Sequence, residues 1–290
     1  EICNTPTALR PTPLLPFYLH RVLPYSYPAD SRLVAISPGI RDNLVKAGIS
    51  PELIWQRPNP VDESAYSYDR HSKNKLRAQL TSFSSEDRVI LSVAKFMPRK
   101  NQVFLVECLR YLPEEFKLLL CGPMVTSGPF AQRDADYVAS IERKVKEYGL
   151  HERVVIQPGF VDDVASLYKL SDVFAFPSLE DALGTPMLES IACGTPVVAN
   201  YLPGVTDAWI EPGAGGFVCH SNPDPTKPGY QQSPDPQEFA SCLEKASSFS
   251  EAIREQASAK ILAQASTEII DRGYWEIFES LTEKNDHQSP

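Results

Sequence analysis

The sequence predicts an α/β protein built on a doubly wound, parallel, Rossmann-like sheet with helices on both faces. Two patterns carry that expectation. From Arg88 to Cys219, short apolar runs alternate with segments of helical periodicity. The runs are continuously apolar rather than alternating, as strands covered on both faces are. Strands that alternate with helices over brief connections form parallel sheets, and right-handed crossovers leave few topologies open.

The elements follow in order. Val89–Ala94 (VILSVA) is a buried strand, and Asn101–Leu112 is a helix with Val103, Val106, Leu109 and Leu112 at helical spacing. Lys117–Gly122 is a second strand, and Asp134–Gly149 an amphipathic helix with Asp at its start and Gly at its stop. RVVIQPG is a strand, DVASLYKLSD a short helix and VFAFPS a strand. TPMLESIACG is a helix, PVVAN a strand and GGFVC a further strand. Upstream, SRLVAIS, PGIRDNLVKAG and ELIWQRP form a single βαβ unit. That unit is too small for a sheet of its own, so Leu33, Val34, Ile36, Leu44, Ile54 and Trp55 are expected to be partly exposed. Asp62–Glu86 reads as a polar linker with a helix, and Ser221–Pro236 as a Pro-rich surface loop. Helical segments beginning at Pro236, Glu251 and Glu268 close the chain.

Composition narrows the function. The 290 residues carry a formal net charge of −9. A general phosphate-backbone binder needs a positive face, so no nucleic-acid partner is expected. No apolar run approaches the ~20 residues of a membrane span. The six cysteines, Cys3, Cys108, Cys121, Cys193, Cys219 and Cys242, show no metal-ligand spacing and read as reduced core residues. The five histidines form no cluster, and His20 reads as a helix-surface residue. No G-x-G-x-x-G follows any strand, which disfavours a dinucleotide-dependent dehydrogenase.

The informative stretch is Pro177–Ala199, PSLEDALGTPMLESIACGTPVVA. Thr185 reads as the N-cap of a helix, with Pro186 at its first position. Glu189 is one residue too late for a capping box, which would place its acid at Leu188. A helix N-terminus offers N–H groups, here from Gly184 to Leu188, that can hold an anion. A carboxylate one turn in can accept hydrogen bonds from sugar hydroxyls; the alternative is that Glu189 only complements the helix dipole. Lys95, Arg99 and Lys100 gather cations at the end of the first strand, where ligands of open α/β sheets bind. A phosphate could enter there, although PRKN could equally be a solvated turn.

These residues carry a family resemblance. The pattern from Pro177 to Val198 resembles the donor-binding signature of retaining glycosyltransferases of family four, with the GT-B fold. LVAIS, LVKAG and IWQRPNPVDESAY resemble the end of that family's N-terminal domain, and ILSVAKFMPRKN its basic phosphate loop. VVIQPGFVDD and LYKLSDVFAFPS resemble its base-binding stretch. LPGVTDAWIEPGAGGFV and SPDPQEFASCLEKA resemble segments downstream of the family's donor-binding signature.

The resemblance implies a metal-independent hexosyltransferase that moves a sugar from a nucleoside-diphosphate sugar to a sugar, lipid or small-molecule acceptor with retention. No cofactor beyond that donor substrate is implied. Lys95 and Lys100 would bind the diphosphate, Asp181 would reach the donor sugar and Glu189 would hold the ribose hydroxyls. The backbone at Gly184, Thr185, Pro186, Met187 and Leu188 would line the pocket, with Phe160 and Val161 against the base. Three positions depart from the family pattern: Asp181 stands for Glu, Lys95 for Arg and Asn101 for Gly.

The implied organisation is a remnant of the N-terminal acceptor-side domain over 1–66, a linker and helix over 67–87, the donor domain over 88–268, and a crossing helix and tail over 269–290. Most of the N-terminal domain, including its Gly-rich loop and active-site His, is expected to be missing. The expected setting is cytoplasmic. Family membership also implies peripheral membrane contact, for which the chain shows no basic amphipathic helix. The alternatives are a nucleotide-sugar epimerase of the same fold and a non-catalytic nucleotide-sugar-binding fragment.

Overall fold

The computed structural model describes residues 32–221 and 232–286. Cys3, His20 and most of the Pro-rich loop lie outside the described residues. The upstream unit comprises β1 (Leu33–Ala35), α1 (Pro38–Lys46) and β2 (Ile54–Gln56), followed by α2 (Lys73–Leu80). The main unit runs β3 (Arg88–Val93), α3 (Gln102–Leu109), β4 (Phe116–Gly122), α4 (Ala131–Glu147), β5 (Val154–Pro158), α5 (Val164–Leu170) and β6 (Val173–Phe176). It continues with α6 (Thr185–Ala192), β7 (Val197–Asn200) and β8 (Gly216–Cys219). The closing helices are α7 (Pro236–Ser247), α8 (Glu251–Ala265) and α9 (Thr267–Asp286). None of the described helices is long and apolar enough to cross a membrane.

The main sheet has six parallel strands in the order β5-β4-β3-β6-β7-β8. Its apolar strands bury both faces, as the unbroken hydrophobic runs require. Ile90, Leu118, Leu120, Val173 and Val198 pack under α3, α4 and α7. Val89, Leu91, Leu119, Phe174 and Phe176 pack under α5, α6 and α8. The chain winds outward from β3 to β5 with helices on one face. It then returns to β6, on the other side of β3, with helices on the opposite face. The topological switch point therefore falls between β3 and β6, and the crevice beyond their carboxyl ends is the place such a sheet provides for a ligand.

The upstream unit corrects one expectation. β1 and β2 pair in parallel as their own two-stranded sheet. Leu33, Leu44 and Ile54 are buried with Ala35, Ile40 and Ile49, and the cluster is closed by Ala182 from the main unit. Val34, Ile36 and Trp55 are half-buried. The small sheet is covered mainly by α1 and the turn after it, with Ala182 added from the main unit. Ser37 caps α1 by accepting the Ile40 N–H at 3.2 Å, and its hydroxyl donates to the Ala182 carbonyl at 2.6 Å. The Gly39 N–H donates to the Gly204 carbonyl at 3.0 Å. Trp55 meets the edge of Tyr274 on α9, with ring centroids 5.2 Å apart. The two crossings between units are joined as well: the Val61 N–H donates to the Ala265 carbonyl at 2.7 Å, and Thr267 N–H to the Val61 carbonyl at 3.2 Å. Ser37 lies past the carboxyl end of β1, and Ala182 past that of β6. The two sheets thus meet across the crevice.

Candidate active site

The loop after β3 carries Lys95, Arg99 and Lys100; the loop after β6 carries Glu180 and Asp181 and leads into α6. β3 and β6 are neighbours, so the cations and acids read separately from the sequence are brought together at the switch point. The Leu179 N–H donates to the Arg99 carbonyl at 2.9 Å, and Arg99 donates back to the Glu180 carbonyl at 3.0 Å. Lys100 Nζ lies 2.5 Å from Asp181 Oδ2, with side chains 14% and 17% exposed. Asp181 Oδ1 also accepts the Ala182 N–H at 2.9 Å and the Gly184 N–H at 3.1 Å. Burial pushes the Asp181 carboxyl up, but Lys100 and those backbone donors outweigh it and hold it below the ordinary carboxylate value.

Asn101 explains one departure from the family pattern. Its backbone is left-handed, at φ 56°, a conformation that Gly adopts without strain and Asn more readily than other residues. Its amide adds what Gly lacks, donating to the Pro177 carbonyl at 3.3 Å and to Ser233 Oγ at 2.8 Å. Asn101→Ala is expected to cost about 1–2 kcal/mol from backbone strain alone. Asn101→Gly is expected to cost less, and paired thermal melts of the two variants check the order.

The start of α6 corrects the sequence reading. Gly184, not Thr185, is the N-cap, at φ 70°; Thr185 opens the helix and Pro186 comes next. A Cβ on Gly184 would lie 2.4 Å from Met187 Cε, the movable end of a flexible side chain, and 3.3 Å from Phe176 Cζ, so it is the left-handed backbone more than packing that calls for glycine. Three positions in the row from Gly184 to Leu188 offer an anion no free N–H, contrary to expectation. Gly184 gives its N–H to Asp181, Met187 gives its N–H to the Gly184 carbonyl at 2.8 Å, and Pro186 has none. The Met187 and Leu188 side chains are in the core.

Glu189 lies one turn into α6, between it and α5. Its carboxylate accepts from the Tyr168 hydroxyl at 3.2 Å. Burial pushes its pKa above the ordinary value, and the Tyr168 bond offsets only part of this. A raised native pKa means that the folded chain holds the proton more tightly than the unfolded one. Stability therefore falls as pH rises from about 4.5 through the folded value. Glu189→Gln should melt higher than wild type at neutral pH and lose that pH dependence, as thermal scans across pH would report.

Lys95 is half-buried, with its Nζ 3.5 Å from Asp134 Oδ2 on α4. Phe160, after β5, is 87% exposed, and Val161 beside it packs partly onto the core. Sequence reasoning missed Asn59, whose amide donates to Thr185 Oγ at 3.3 Å. It also missed Arg133, whose guanidinium stacks 4.7 Å from the Phe130 ring centroid after β4. Only the folded neighbourhood marks either residue.

A six-stranded doubly wound sheet facing a second parallel sheet across a crevice of basic and acidic loops is the GT-B type of fold. The chain belongs to the glycosyl transferases group 1 family, which matches residues 73–227. It is 28% identical over 189 residues to the serotype-specific mannosyltransferase WbdA of Escherichia coli, covering 64% of this chain and 22% of that protein. To D-inositol 3-phosphate glycosyltransferase of Xylanimonas cellulosilytica it is 28% identical over 201 residues, covering 67% of this chain and 46% of the relative. The chain thus spans less than half the length of these relatives. Among solved structures, Anabaena HepE in complex with UDP and glucose is similar with a TM-score of 0.71 at 24% identity, covering 86% of this chain and 63% of that one. The C-terminal domain of a group 1 glycosyl transferase from Francisella tularensis is similar with a TM-score of 0.54 at 19% identity, covering 70% of this chain and 96% of that one.

Proposed function

We propose that the chain forms the donor side of a glycosyltransferase that moves a sugar from a nucleoside-diphosphate sugar to a sugar, lipid or small-molecule acceptor, with retention of anomeric configuration and without a metal. The observation that carries this reading is the Lys100–Asp181 pair at the switch point between β3 and β6. Lys95 and Lys100 take up negative charge on the diphosphate as the sugar–phosphate bond breaks, which is the main electrostatic demand of the reaction. Asp181 contacts the donor sugar and Glu189 the ribose hydroxyls. The turn from Gly184 to Leu188 lines the sugar–phosphate pocket, and Phe160 and Val161 meet the base. The proposed setting is the cytoplasm, in keeping with the free thiols of Cys108, Cys121, Cys193, Cys219 and Cys242.

Calorimetric titration with UDP and with GDP, each with and without EDTA, tests the donor site. Binding of at least one nucleotide that survives EDTA is expected. Strict dependence on Mg²⁺ or Mn²⁺ counts against the site as described. Product analysis with a radiolabelled donor and an acceptor panel then separates transfer from epimerisation and from binding without turnover.

A further inference from the structure

We propose that Asp134 is a positioning residue for Lys95, acting through it on the donor's diphosphate; this rests on the donor-site reading above. Asp134 sits in the first turn of α4, where a carboxylate would ordinarily face water and complement the helix's positive end. Instead its side chain is 0% exposed, while Arg133, Ala135 and Asp136 around it are exposed. A buried carboxylate is tolerated only when its lone pairs are engaged. Here Oδ1 accepts two N–H groups of Arg133, at 2.9 and 2.6 Å. Oδ2 accepts the Val125 N–H at 3.2 Å and lies 3.5 Å from Lys95 Nζ.

The division of labour comes from charge. Two cations, Lys95 and Arg133, surround one anion, so the cluster keeps a net positive charge at the carboxyl ends of β3 and β4. Arg133, held against Phe130, neutralises most of Asp134. That leaves Lys95 tethered in place while its charge remains available to a phosphate. A lysine on a flexible four-carbon stem loses considerable rotamer freedom when a ligand must fix it, and a tether supplied before binding removes much of that cost. Burial alone would raise the Asp134 pKa, but the bonds from Arg133 and Val125 and the charge of Lys95 outweigh it. The group is therefore ionised throughout the neutral range, and the tether stands at any assay pH there.

A four-cornered cycle tests this on the full chain, with UDP and GDP titrated calorimetrically into wild type, Asp134→Asn, Lys95→Met and the double variant. Asp134→Asn is expected to weaken binding about tenfold beside Lys95 and to change it little in the Lys95→Met background, since a residue acting through another couples to it. Asp134→Glu should recover part of the affinity. Equal weakening in both backgrounds, or none in either, overturns the inference by making Asp134 merely structural. If Asp134→Asn fails to fold, Arg133→Gln serves instead. It leaves Asp134 to neutralise Lys95 and should weaken binding only while Lys95 is present. A wild-type chain that binds neither nucleotide, or a Lys95→Met chain that binds as wild type does, fails the donor-site reading itself. An additive cycle with Lys95→Met weakened fails this inference alone.

Discussion

Lys100→Met is expected to lower the stability of the chain by about 3 kcal/mol, because it strands a buried carboxylate. Asp181 and Lys100 are each more than four-fifths buried, and among the described residues no other cation is paired with Asp181. The Ala182 and Gly184 N–H bonds to Asp181 remain, so the loss sits at the lower end of what breaking a buried ion pair costs. Nucleoside-diphosphate binding should weaken by a further ~1–3 kcal/mol, the range for a hydrogen bond to a charged group. Adding Asp181→Asn should restore much of the melting temperature but none of the Lys100 contribution to binding. The native Asp181 carboxyl lies below its ordinary value of 3.8, so its stabilisation is present above that pH and is lost as pH falls through the folded value. In Lys100→Met burial is no longer outweighed by Lys100, so protonating the stranded carboxyl relieves part of the penalty and the gap to wild type narrows as pH falls. A variant that melts like wild type across this range would show that the pair does not stabilise the loop.

Gly204→Ala is expected to have the second large effect, on the seating of the upstream unit. Gly204 has φ +67°, and a Cβ there would lie 2.4 Å from the Gly39 nitrogen and 2.7 Å from its Cα. Both neighbours are backbone, so no side chain can swing aside. Left-handed strain costs about 1–2 kcal/mol and overpacking about 1–3 kcal/mol more. The cheapest escape is to break the Gly39–Gly204 bond and lift α1 from the main unit. Limited proteolysis should then cut the linker between β2 and α2 faster than in wild type, while the main unit stays resistant. Unchanged cleavage together with an unchanged melt would mean that the contact is not needed for seating.

Much of the fold was legible because it is written in local pattern. Continuous apolar runs marked β3 to β7. Strand order was not legible, since periodicity does not say which strands are neighbours. The pairing of Lys100 with Asp181, 81 residues apart, depends on that order. Asn101 appeared only as a departure from a pattern; its φ and its two side-chain bonds give the reason. Asp134 looked like a helix-start signal, and nothing local distinguishes an acid that faces water from one that is enclosed. The supposed exposure of Leu33 and Ile54 failed for a related reason. Their cover comes partly from Ala182, far along the chain.

The bonds that join the turn at Arg99–Asn101 to the segment Pro177–Asp181 also bear on the timing of recognition. With Leu179, Arg99, Asn101 and Asp181 already fastened across β3 and β6, the two banks of the crevice have no separate freedom to give up. A ligand arriving there meets a rigid receptor, and little chain entropy is lost on its capture. The Leu179 and Asn101 amides should therefore be slow to exchange with deuterium before any ligand is added, and should gain little further protection after it.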